Sequence, residues 1–66
     1  MNRREFLRHL RSHGCTLKRE GAKPSPYQNP ANGMVEAVPR HIEIDTRLAR
    51  KICKELGVPS VGDPEA

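Results

Sequence analysis

Tyr27-Gln28-Asn29-Pro30-Ala31-Asn32-Gly33-Met34-Val35-Glu36-Ala37-Val38 is the stretch from which the fold of this chain can be read. Pro30 presets φ at a turn position and Asn32-Gly33 tolerates positive φ, so the chain reverses between them. Met34 to Val38 then pairs back on a short strand running roughly from Tyr27 to Asn29. Immediately upstream, Pro24 and Pro26 fix φ and remove two backbone donors. That predicts a stiff loop from Gly21 to Pro26 and a loosened start to the strand that follows.

Ahead of the loop, Cys15, Leu17 and Arg19 alternate with Thr16, Lys18 and Glu20, which reads as a further, half-exposed strand. A helix flanks the strands on each side. On the N-terminal side, Asn2 with Glu5 three residues later is a partial capping box, and Phe6, Leu7 and Leu10 fall in one stripe. Gly14 stands at the position that closes a helix just past His13. Arg4, Arg8 and Arg11 recur at i, i+4 and i+7, giving that helix a basic flank. On the C-terminal side, Asp45 or Thr46 caps a helix whose apolar stripe is Leu48, Ala49, Ile52, Cys53 and Leu56. Arg47, Arg50, Lys51 and Lys54 face outward from it. Gly57 stops this helix, Val58 supplies the apolar contact of a Schellman end, and Pro59 prevents continuation. Ile42 and Ile44, in the connection after Pro39, are expected to tuck under the second helix.

The order is α-β-β-β-α, an α+β layout in which short connections make a three-stranded antiparallel meander and both helices cover one face. This matches the double-stranded-RNA-binding-domain-like architecture. The expected domain spans residues 1–59, and residues 60–66 form a flexible tail.

Twelve Lys and Arg against eight Asp and Glu give a net charge of +4. That balance favours a polyanionic partner, either nucleic acid or an acidic protein. One Phe, one Tyr and no Trp leave a thin core with no room for a cofactor-sized cavity. The only cysteines, Cys15 and Cys53, form no CxxC or Cys/His cluster, so neither a zinc site nor a disulfide framework is expected. They read as two reduced core thiols, which places the chain in a reducing cytoplasm. Arg8, His9 and Arg11 interrupt the first apolar run, so no signal peptide or membrane span is expected.

The cations nearest the loop are Lys18, Arg19, Lys23 and Arg40, placed to contact phosphates without reading sequence, with Ser25 in the same loop. Tyr27 either stacks on a base or sits half-buried in its strand. His41, following Arg40, is the best acid/base candidate, against a reading as a solvated loop histidine. His9 and His13 read as surface residues. The basic faces of the two helices either dock an acidic partner or keep the protein soluble.

Several segments taken together resemble the HicA family of toxin–antitoxin ribonucleases. They are Arg4-Glu5-Phe6-Leu7-Arg8-His9-Leu10 with His13-Gly14, then Gly21-Ala22-Lys23 ahead of Tyr27-Gln28-Asn29-Pro30, Val38-Pro39-Arg40-His41, and Leu48-Ala49-Arg50-Lys51-Ile52. The likeness runs from residue 2 to about residue 58. It implies the fold read above, metal-independent endonucleolytic cleavage of mRNA, and neutralisation by a HicB-like antitoxin. It also implies a histidine in the loop, at the position that holds Pro24 here. Cleavage through the 2′-hydroxyl of RNA needs a group that exchanges a proton near neutral pH, and imidazole, with a pKa of about 6.5, suits that role. Proline has none. The expectation is therefore a HicA-like toxin with impaired ribonuclease activity. The alternative is a non-catalytic RNA-binding or antitoxin-binding module of the same fold. A DNA-binding adaptor ranks lower, because neither helix offers the short turn and exposed face of a helix-turn-helix pair.

Overall fold

The computed structural model describes residues 1–60. Its elements are α1 (Arg3–Ser12), β1 (Thr16–Leu17), β2 (Ser25–Asn29), β3 (Met34–Val38) and α2 (Thr46–Leu56). The sheet is antiparallel in the order β1-β2-β3, with Thr16 opposite Gln28, Tyr27 opposite Glu36 and Asn29 opposite Met34. The α+β reading holds. The tail expected over residues 60–66 lies, apart from Ser60, outside the described residues.

Both helices begin and end where local chemistry directs. Asn2 Oδ1 accepts the Arg4 and Glu5 amides at 2.8 and 3.4 Å, and Asp45 Oδ1 accepts the Arg47 amide at 2.9 Å. Each helix closes in a Schellman motif. At α1, Gly14 takes φ +89° while the Gly14 and Cys15 amides donate to Arg11 and Leu10. At α2, Gly57 takes φ +73° while the Gly57 and Val58 amides donate to Lys54 and Cys53. The hairpin turn adds a second cap, because Asn29 Nδ2 and Asn32 Nδ2 both donate to the Leu56 carbonyl, at 2.8 and 3.0 Å. A β-carbon on Gly57 would lie 2.7 Å from that Asn32 nitrogen and displace this cap, while the φ itself calls for glycine.

The core gathers Phe6, Leu7 and Leu10 of α1, Tyr27 and Val38 of the sheet, and Ile44, Ala49, Ile52, Cys53 and Leu56 around α2. Leu48 is 36% exposed, a correction to its place in the apolar stripe. The stripe is centred on Ala49, Ile52, Cys53 and Leu56, and Leu48 stands about 100° off the first of these. Ile42 is also corrected. It is 80% exposed while Ile44 is buried. The N-terminus pairs with this connection: the Arg3 amide donates to Ile42, the Ile44 amide donates to Met1, and Asn2 bridges Glu43. A bend at Ile42 breaks the two-residue period that would have put both isoleucines on one side.

Two strand boundaries differ from expectation for one reason. β2 begins at Ser25 and carries Pro26 inside it, while β1 shrinks to two residues. Within an antiparallel strand, the N–H and C=O of one residue point to the same neighbour. The Pro26 carbonyl accepts the Lys18 amide at 2.8 Å, so the missing Pro26 donor also faces β1. The β2–β3 ladder therefore loses nothing at Pro26, and the β1–β2 ladder ends there.

Cys15 and Cys53 are buried and not joined in a disulfide, as read from the sequence. Burial pushes the Cys15 thiol up, and the charge that Cys53 would carry adds to the shift. The unfolded chain releases this proton near pH 8.5, whereas the folded chain retains it. The contribution to stability is thus complete below that pH and declines as pH rises through it. Urea unfolding between about pH 7.5 and about pH 10 should show stability falling with pH, and less steeply in Cys15→Ala. A wild-type stability indifferent to pH over that interval would contradict the burial of Cys15.

Candidate nucleic-acid interface

The loop before β2 and the segment leaving β3 run beside each other because Ser25 is the register partner of Val38. Between them lies an open cleft of about 620 Å³ lined by Lys23, Pro24, Ala37, Pro39, Arg40 and His41. Two proline rings and an alanine methyl make its floor apolar, and two cations and an imidazole rim it. The Lys23–Pro24 peptide bond is cis. Among the described residues no carboxylate lines this cleft.

Arg3, at the first position of α1, joins the two walls. Its Nε donates to the Pro39 carbonyl at 2.7 Å and its Nη2 to Ser25 Oγ at 3.2 Å. A guanidinium carries five donors in a rigid fork, so donors remain after both bonds are made. Ser25 is 6% exposed, which makes its hydroxyl chiefly a support for Arg3.

A second groove continues from the first, lined by Arg3, Leu7, Arg11, Leu17, Arg19, Glu20, Ser25, Tyr27 and Arg40, among others. Tyr27 is 4% exposed and belongs to the core, so its ring face is not available for stacking on a base, a correction to one of its two readings. Its hydroxyl has no hydrogen-bond partner among the described residues and is not fully buried, so it opens into the groove. Lys18 is exposed and lines neither concavity.

The expected residues thus divide. Lys23, Arg40 and His41 meet at Pro24, Arg19 joins Ser25 and Tyr27 in the adjoining groove, and Lys18 stands apart. Arg3, Arg4 and Arg11 were missed as site residues, since the helix-one arginines read as a separate surface. Arg8, by contrast, lines none of the concavities described here. The signal was the recurrence of Arg3, Leu7 and Arg11 at four-residue intervals, which places them on one flank of a helix.

None of the twelve lysines and arginines makes an ion pair among the described residues, where the one ion pair joins the N-terminal ammonium to Glu43 at 3.0 Å. The rim charges are therefore not neutralised internally. His13 is exposed, and half-buried His9 donates through Nε2 to the Pro59 carbonyl at 2.7 Å, so neither histidine reaches the cleft. Among the described residues no group of three or more His, Cys, Asp or Glu is arranged to hold a metal, and no helix is long and apolar enough to cross a membrane. No family model, curated protein or solved structure matches the chain.

Proposed function

We propose that this chain is a HicA-like RNA-binding protein that holds mRNA in the Lys23–His41 cleft, with ribonuclease activity weakened by Pro24 and with a HicB-like antitoxin as its protein partner. The observation that supports the reading is the cleft itself, where Lys23 and Arg40 stand unpaired at the rim of an apolar floor. Such a rim suits backbone phosphates and such a floor suits sugar or base. His41 lines the same cleft and favours residual cleavage as a second reading, but a lone imidazole must serve as both acid and base.

Fluorescence anisotropy with a labelled single-stranded RNA, over about 50 to 200 mM salt, tests binding. Lys23→Ala and Arg40→Ala should each weaken it and make the plot of log affinity against log salt shallower by about 0.7, one phosphate contact's worth on a single strand. Unchanged slopes in both variants would remove RNA from this cleft.

A further inference from the structure

We propose that Arg3, Arg11 and Arg19 form a second phosphate subsite that extends the RNA track from the cleft across α1, so that the ligand is an extended single strand. The inference rests on the reading of the Lys23–His41 cleft as an RNA site and adds a direction and a length to it.

The concavities of this surface are not separate. Arg40 lines the Lys23–His41 cleft, the Arg19 groove and a third hollow bounded by Asn2, Arg4, Leu7 and Ile42. Arg3, Leu7 and Arg11 line both of the last two. The three hollows therefore adjoin at Arg40 and make up an interrupted trough, with Arg3 and Arg11 lining its α1 side. Among the described residues Glu20 is the one carboxylate in the last two hollows, against five arginines.

Three features fit a single strand better than another polyanion. Arg3 is held by Pro39 and Ser25, so its remaining donors are presented at little further entropic cost. Tyr27 lines the same groove as Arg3, Arg11 and Arg19, and its hydroxyl, without a partner among the described residues, is a neutral donor suited to a phosphate or a 2′-hydroxyl. Ile42, 80% exposed at the margin of the trough, offers an apolar surface to an unstacked base. A duplex keeps its bases stacked inside and would leave the exposed Ile42 side chain without a base to cover it.

Binding of a ribodinucleotide and of a single strand of about 10 nucleotides should separate the subsites, since channels of this kind cover about 4 to 16 nucleotides. Arg11→Ala and Arg19→Ala, at exposed positions, should each lower the salt slope of the longer strand by about 0.7, and the double variant by about 1.4. Dinucleotide binding should stay as in wild type, and Lys51→Ala on α2 should change neither. Unchanged long-strand slopes alongside an intact Lys23 and Arg40 effect would overturn the subsite and leave the cleft as the RNA site. Failure of wild type to bind either RNA would overturn the cleft reading itself. Equal losses for poly-aspartate of matched charge would assign the trough to an acidic polypeptide and likewise overturn the proposal.

Discussion

Pro24→His is expected to raise RNA cleavage by about 10²- to 10⁴-fold, the usual contribution of a positioned general acid or base. Pro24 forms one wall of the cleft and His41 lines the same space, so the substitution would put two imidazoles about one bound phosphodiester. One would take the 2′-hydroxyl proton as that oxygen bonds to phosphorus to give a cyclic phosphate, and the other would donate a proton to the 5′-oxygen as its bond to phosphorus breaks. The rate should then depend on pH near about 6.5, the reference pKa of the introduced imidazole. Pro24→Ala belongs beside it, because relaxing the loop alters RNA binding without adding a proton carrier. Rates on a labelled RNA across pH decide the matter. Brisk cleavage by the wild type, abolished by His41→Ala and not increased by Pro24→His, would place the active group on the His41 segment alone.

Phe6→Ala is expected to unfold the protein. Phe6 is fully buried where α1 meets the core, and truncating such a ring costs about 3 to 5 kcal/mol. A single core in a chain of this size rarely supplies more than about 3 to 5 kcal/mol in all. The loss therefore removes most or all of the stability, and with it the platform that holds Arg3 and Arg11. Phe6→Leu, which restores most of the lost volume, should cost about 1.5 kcal/mol and remain folded. Thermal melts followed by circular dichroism distinguish the two. A folded Phe6→Ala protein whose melting temperature fell by only a few degrees would mean that α1 is not packed as described.

The features legible in the residues alone are the ones set by neighbours in the chain. Asn2 and Asp45 cap their helices, Gly14 and Gly57 end them, and Asn32-Gly33 reverses the hairpin, because each requires only a side chain or a φ value within a few residues. That Lys23, Arg40 and His41 stand near one another was legible for the same reason, through their adjacency to a recognisable loop and strand end.

Other features depended on which partner stood across the fold. Pro26 sits inside β2 because its missing donor faces the end of β1, and nothing in its own dipeptide tells which neighbour that donor would have met. Tyr27 and Ile42 carry the same ambiguity of side. One is in the core and the other in the trough, owing to the cover of the helices and to a bend pinned by the N-terminus. Arg3 reaches the walls of the cleft only because it spans from the helix start to Pro39 and Ser25, 36 and 22 residues away, and Arg4 and Arg11 line the adjoining hollows. Charge, caps and turns are local properties that composition and spacing carry. The side on which a residue ends, and the cations it ends beside, follow from long-range packing that no local pattern encodes.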